Sequence, residues 1–253
     1  RTAVQEIRTQ TKERTVRMRL NKYISESGLC SRREADRLIE SGRVTVDGQR
    51  AEPGMQVTED SDVRVGRKKI GPKKEIIVLA VNKPVGIVCT EDIREKRNII
   101  RFLNYPVRLT YAGRLDKDSE GLLIMTNDGE LIQRMMRSRY GHEKEYRVTV
   151  HKPVTEEFLE RMRQGVHISD KEKGLDAVTF PCRAEKIGKY TFSIVLTQGL
   201  NRQIRRMCEA LGYKVTRLIR IRIMNIGLDG LMTGKTREIT GQELKELYER
   251  AGV

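Results

Sequence analysis

The spacing of apolar positions sharpens at Met18. Leu20 and Ile24 stand four apart, and Gly28 lies where that helix would end. Ser31-Arg32-Arg33-Glu34 reads as a capping box opening a second helix, with Ala35, Leu38 and Ile39 inside and Gly42 as its stop. Val44-Thr45-Val46 alternates into the turn Asp47-Gly48, a hairpin signal, and Val63 and Val65 mark a further short strand. Residues 17–65 are therefore expected to form two short helices and a small sheet. Residues 66–74 carry Gly and Pro punctuation and read as a linker. Residues 1–16 are polar and basic without a period, the pattern of a flexible arm.

From residue 75 the pattern is that of a second, larger domain, 75–253. Ile76 to Val81 is a continuous apolar strand, followed by the turn Asn82–Gly86 and a short strand from Ile87 to Cys89. Leu122–Met125 is short enough for a buried strand. A turn at Asn127-Asp128-Gly129 precedes a helix with Leu131, Ile132, Met135 and Met136 inside. Tyr146, Val148 and Val150 alternate as a strand, and Thr155–Met162 reads as a helix with acid in its first turn. Strands are expected at Ala177–Phe180 and at Tyr190–Leu196, with Tyr190, Phe192, Ile194 and Leu196 on one face. A helix from about Asn201 buries Ile204, Met207, Cys208 and Leu211. On its wheel Arg202 and Arg206 point outward and Arg205 sits at the border. Val215–Met224 alternates apolar and basic, a strand with one wet face, and Thr240-Gly241-Gln242-Glu243 caps the last helix, with Leu244, Leu247 and Tyr248 inside. Interspersed elements, frequent hairpins and short connections imply an α+β domain with a mixed, largely antiparallel sheet.

Charge narrows the class of partner. Lys and Arg number 50 against 35 for Asp and Glu, a formal charge of +15. Such a balance favours a polyanion, nucleic acid before membrane. No apolar run approaches the ~20 residues of a membrane span, and the first residues hold no apolar signal core. Arg1 rather than Met opens the chain, so its start is read as trimmed. The small domain presents Arg19, Lys22, Arg32, Arg33 and Arg37, with Arg43 just beyond, on the polar sides of its helices. This basic face suits phosphate. The densest positive stretch is 199–222, where Arg202, Arg205, Arg206, Lys214, Arg217, Arg220 and Arg222 face one acid, Glu209. Cys30, Cys89, Cys182 and Cys208 are scattered, which implies reduced thiols and a cytoplasmic setting. His142, His151 and His167 lack ligand spacing and read as structural or solvent-facing.

One stretch carries candidate chemistry. Gly113-Arg114-Leu115-Asp116-Lys117-Asp118-Ser119-Glu120-Gly121 crowds charged side chains between two glycines, just before the buried strand. A charged loop on rigid support can present a reactive side chain, and Asp116 is read as that group. Read alone, the stretch is equally a solvated turn. A calcium loop is disfavoured, because Glu120 and Asn127 stand at its fifth and twelfth positions and an apolar run interrupts the ligands.

Together these residues resemble a family. Arg19-Leu20-Asn21-Lys22-Tyr23-Ile24, Ser31–Asp36 and Gly42–Gly48 are similar to an S4 (αL-type) RNA-binding domain. Asn82-Lys83-Pro84-Val85-Gly86, Gly113–Asp116, Lys144-Glu145-Tyr146 and Gly199–Arg206 resemble, in order, the motifs of RsuA-type pseudouridine synthases. His142–Tyr146 and Gly199–Met207 look closest to the RluF type, which acts on large-subunit rRNA. The resemblance implies isomerisation of uridine in ribosomal RNA: the N1–C1′ bond breaks, the uracil turns, and it rejoins through C5. It implies no metal, nucleotide or redox cofactor. Asp116 maps onto the family's catalytic Asp, with attack on the base or action at the sugar both open. Arg205 maps onto its ion-pair partner, Tyr146 onto the active-site Tyr, and Arg114 onto the Arg that holds the nucleotide everted. Arg202, Arg206, Arg217 and Arg220 are expected, like the small domain's basic face, to bind RNA phosphates. The expected protein is a monomer, with no membrane and no metal partner. The alternatives are the same chemistry on small-subunit rRNA or a tRNA anticodon arm, a non-catalytic S4 RNA-binding protein, and a structural component of translation.

Overall fold

A computed structural model describes residues 17–71, 75–92, 94–137 and 141–253; the arm expected at 1–16 lies outside them. Two units emerge. One gathers the described residues up to Ile77 with Tyr105–Thr110 and Thr126–Gly129. The other comprises Val78–Asn104, Tyr111–Met125 and Glu130–Val253, apart from the undescribed positions.

In the first unit a short strand β1 (Met18–Arg19) leads into helices α1 (Leu20–Glu26) and α2 (Arg32–Glu40). Ser31 Oγ accepts from the Glu34 amide at 3.2 Å, which satisfies one of the orphan donors of α2. Strands β2 (Val44–Val46), β3 (Gln49–Arg50), β4 (Gln56–Val57), β5 (Val63–Val65) and β6 (Lys68–Lys69) follow. The sheet runs β3-β2-β5-β6, and β1 pairs with β4. Asp47 and Gly48 both have positive φ, the requirement of a type I′ hairpin turn. Leu20, Ile24, Ala35, Ile39, Val44 and Val63 form the buried centre. Part of the stretch expected as linker belongs to this fold. Gly66, at φ +58, helps turn the chain so that β6 pairs with β5, and Ile70 is buried with its amide on Val63 O. Residues 72–74 lie outside the described residues.

The second unit contains β7 (Val78–Lys83), α3 (Ile99–Leu103), the strand β8 (Thr110–Tyr111), β9 (Glu120–Thr126), α4 (Gly129–Met136) and β10 (Lys144–Val150), apart from the end residues Thr110, Thr126 and Gly129. It continues with α5 (Glu156–Gln164), β11 (His167–Asp170), β12 (Leu175–Val178), β13 (Arg183–Gly188), β14 (Thr191–Leu196) and α6 (Gln203–Ala210). Strands β15 (Val215–Ile223), β16 (Ile226–Gly227) and β17 (Thr236–Glu238) precede the final helix α7 (Gly241–Ala251). The main sheet runs β13-β14-β10-β15-β9-β7-β17. It is mixed: β15 and β9 are parallel, while β13–β14, β14–β10, β10–β15 and β7–β17 are antiparallel. The fold is α+β, as the pattern of short connections implied.

Burial explains the strands. Leu122 to Met125 lie fully inside, as expected of a strand in mid-sheet. On β14, Phe192, Ile194 and Leu196 pack with Val148, Phe158, Met162 and Met207, whereas Tyr190 is exposed. Phe158 stacks edge-on to Phe192 at 5.3 Å. Each such aromatic contributes ~2–3 kcal/mol by burial. Cys208 lies in this core, and burial pushes its thiol pKa up to about 12.

Three local expectations are corrected. Ile87–Cys89 is not a strand, since only an isolated bridge joins Val88 to Asn98. Thr240 makes no side-chain cap for α7, and the Glu243 side chain, which a capping box would turn back, is held by Arg237 at 2.7 Å through each carboxylate oxygen. Met136 is exposed rather than inside, at the last position of α4.

The parallel pair β9–β15 depends on Gly121. Its φ is +109°, and a Cβ there would sit 2.3 Å from Arg220 O. Gly121→Ala is therefore expected to cost on the order of 3 kcal/mol, measured by urea denaturation. A change within ±0.5 kcal/mol would reject this reading of the contact.

Candidate active site

The loop 113–119 is fastened at both ends. Gly113 has φ +90°, and Gly121 brings the start of β9 against the Arg220 backbone. Between them the Ser119 amide donates to Asp116 O at 3.1 Å. The strand β7 runs through Asn82 and Lys83, and the turn after it braces the same loop, because the Gly86 amide donates to Lys117 O at 2.7 Å. Lys83 is wholly buried, and its Nζ donates to Pro84 O at 3.0 Å and Ile87 O at 2.8 Å. Burial lowers its pKa, opposed in part by Asp116. This lysine shapes the turn that supports the loop.

Arg114 and Asp116 reach a cavity of about 420 Å³ that Tyr146 and Arg202 also line. The Asp116 side chain is 35% exposed, and its charged partner within 4 Å is Arg202, whose Nη1 lies 3.9 Å from Oδ2. The expected Asp116–Arg205 ion pair is not made. Arg205 Nη2 donates instead to Asp118 O at 2.8 Å and Ser119 Oγ at 3.3 Å, and its Nε lies 3.4 Å from Asp118 Oδ2. Arg205 does not line the cavity. The reason lies at the start of α6. Arg202 precedes the helix rather than lying on it, in a left-handed conformation at φ +51°. A wheel drawn from Asn201 therefore misplaces its side chain. Arg202 turns onto the loop and grips Asp118 through both nitrogens, at 3.0 and 2.7 Å. That hydrogen bonding is the main cause that lowers the Asp118 pKa and raises that of Arg202. Asp118 is thus the shared anion of Arg202 and Arg205.

The other predicted arginines divide by partner. Arg206 is tied inside the fold, to Asp170, Ser169 O and Asn201, rather than pointing outward. Arg217 holds Glu120 at 2.5 Å. Arg220 is 2% exposed, so it is not on a wet face. A β-bulge accounts for this. Tyr146 faces Arg220 and Glu145 faces Arg222, so Ile221 is the extra residue and strict alternation fails. Arg222 then meets Glu145 at 2.8 Å and Glu143 at 3.1 Å. In the first unit, Arg19, Arg32, Arg33 and Arg37 are exposed and form no ion pair among the described residues, while Lys22 lies 3.7 Å from Glu26.

Among the cavity residues that the sequence did not single out are Lys144, His142 and Gln198. Lys144 was detectable, since it lies two before Tyr146 on an alternating strand and so on the same face. Burial, opposed to any charge, lowers the pKa of His142, whose Nε2 lies 3.2 Å from Arg134 O. Among the described residues no group of three or more His, Cys, Asp or Glu side chains could hold a metal ion.

Comparison with known proteins bears on this arrangement. Residues 77–210 match the RNA pseudouridylate synthase family, and residues 18–63 match the S4 domain. The chain belongs to the RNA pseudouridylate synthase family. It is 50% identical over 233 residues to the "Dual-specificity RNA pseudouridine synthase RluF" of Salmonella typhi, covering 91% of this chain and 78% of that protein. It is 35% identical over 238 residues to the "Ribosomal large subunit pseudouridine synthase B" of Bacillus subtilis, covering 90% of this chain and 95% of that one. A crystal structure of a pseudouridylate synthase aligns with TM-score 0.66 at 29% identity, over 91% of this chain and 99% of the other. This pseudouridine synthase is thus of the RsuA type with an S4 domain, and RluF-like. Its helices are nowhere long and apolar enough, among the described residues, to cross a membrane.

The depressed Asp118 pKa has a consequence for stability. Its contribution is complete above the ordinary value of 3.8 and is lost as pH falls through the lower folded value. Asp118→Asn is expected to lower the denaturation midpoint at about pH 7 and to lose that difference near about pH 2. An undiminished difference in acid would show that the carboxylate charge contributes nothing.

Proposed function

We propose that this enzyme isomerises uridine to pseudouridine in ribosomal RNA, with large-subunit rRNA as the principal substrate. The observation that supports it best is the single cavity lined by Arg114, Asp116 and Tyr146, three residues from separate stretches of the chain. Chemistry on a base requires the nucleotide to leave its stack. In this reading Tyr146 stacks on the everted uracil and Arg114 holds the nucleotide out. Asp116 acts in covalent catalysis on base or sugar. The Arg202 guanidinium lies 3.9 Å from its carboxylate. Arg205 is a positioning residue, bracing the Asp118–Ser119 backbone that follows Asp116.

The domains divide the work. The S4 domain, proposed over 17–65 and extended by β6 and Ile70, binds phosphate through Arg19, Arg32, Arg33 and Arg37, and the catalytic domain spans 75–253. The dual specificity in the Salmonella typhi relative's name favours a second RNA beside rRNA, and a tRNA anticodon arm is that candidate. Four free cysteines, three of them buried, suit a reducing cytoplasm. The enzyme is proposed to act as a monomer, to be checked by sedimentation.

Pseudouridine mapping of rRNA and tRNA from cells with and without this protein tests the substrate. Loss of no site in either RNA would reject it. Asp116→Asn is expected to fold and bind RNA yet lose more than ~10³-fold in rate, followed by tritium release from labelled uridine. Ordinary turnover would remove Asp116 from catalysis. Replacing Arg32, Arg33 and Arg37 together by Ala is expected to weaken RNA binding and reduce the salt dependence by about two to three counterions, with turnover at saturation unchanged. An unaltered salt slope would exclude phosphate contacts there.

A further inference from the structure

Arg220 and Lys144 are two cations in the cavity that no carboxylate among the described residues neutralises. Arg220 is 2% exposed; its Nε donates to Leu122 O at 2.7 Å and its Nη1 to Arg114 O at 3.3 Å. Its Nη2 is buried and has no hydrogen-bond partner among the described residues. Lys144 Nζ has one acceptor, His142 O, at 3.3 Å. The acids nearest in sequence are committed elsewhere, since Glu145 holds Arg222 and Glu143 holds Arg222 and Arg183. Burial and the Arg220 charge lower the Lys144 pKa, and both residues line the cavity. A buried, unpaired cation is costly unless something that binds there completes it.

What binds is constrained by the register. Tyr146 lies directly opposite Arg220 and shares a face with Lys144, and all three line the cavity. Asp116 lines the same cavity and opposes a second anion such as phosphate. A neutral group that becomes negative during the reaction suits both constraints. We infer that Arg220 and Lys144 bind the carbonyl edge of the everted uracil and stabilise the charge it gains when detached. This rests on the pseudouridine synthase reading of the cavity.

The chemistry is consistent with that position. The C1′–N1 bond breaks with its electron pair going to the base, whose charge spreads over N1, O2 and O4. The electron-poor sugar is met by the Asp116 carboxylate, by bonding to C1′ or by taking the C2′ proton, and that step reverses later. C5 then bonds to C1′, the C5 proton leaves, and N1 takes one, so the product is an isomer. Cations at the carbonyl edge bind the detached base more tightly than uridine, and so they accelerate bond cleavage rather than only tighten binding.

Single-turnover rates and RNA affinities of the full chain test this. Two otherwise identical RNAs carry uridine or 5-fluorouridine at the target, and the rearranged nucleoside is measured by mass spectrometry-coupled chromatography. Fluorine withdraws electrons and so stabilises the detached base by itself. Lys144→Met is expected to slow the uridine RNA by about 10²-fold, with affinity within about twofold. On the 5-fluorouridine RNA the loss is expected to shrink to about tenfold or less. Arg220→Lys, which keeps the buried charge, is expected to give the same pattern more weakly. Equal losses on both RNAs would overturn the inference, as would a loss confined to affinity with a shallower salt slope. Failure of the unaltered protein to convert the uridine RNA would instead remove the parent reading, and the inference with it.

Discussion

The site depends on one backbone contact. Gly121 lies against the Arg220 main chain where β9 and β15 run parallel, closer than any side chain would allow. This contact brings the start of β9, and with it the loop of Asp116, beside a strand nearly a hundred residues later in the sequence. β15 in turn pairs with β10, which carries Tyr146. Three stretches become neighbours through two strand pairings, and the turn after β7 also holds the loop through the Gly86 amide. The rigidity belongs to the sheet, and the chemistry belongs to the loops on it.

Electrostatics in this loop is a competition. Two carboxylates, Asp116 and Asp118, lie near two guanidiniums, and Asp118 takes the close contacts from both. Asp116 is left with a partner at the edge of ion-pair distance and with about a third of its side chain open. A carboxylate locked in a bidentate pair would be ionised but occupied. One beside a guanidinium that another acid holds in place is left free to meet a substrate.

Most of the scaffold was legible because it follows from periodicity. Alternation located β10 and β14, the Asp47-Gly48 dipeptide marked a hairpin, and the run Leu122–Met125 was a buried strand. Asp116, Tyr146 and Arg114 were found through the motif resemblance, and they line one cavity. The misses have local causes that a periodic template cannot contain. Arg202 adopts a left-handed backbone that no wheel represents. Arg220 leaves the wet face because of a bulge. Arg206 and Arg217, counted as free positive charge, are neutralised by acids far away in the chain. Charge counting finds the polyanion partner but cannot tell which cations are already engaged.

The bulge at Ile221 also says something about how such a site could be lost or gained. In a regular strand Arg220 and Arg222 would project to one side; the surplus residue sends them to opposite sides, one to Tyr146 and the other to Glu145. The number of residues in this strand is thus as much part of the binding surface as their identities. Shortening it by one, with every charge retained, would exchange the inhabitants of the two faces and leave the pocket with a different lining.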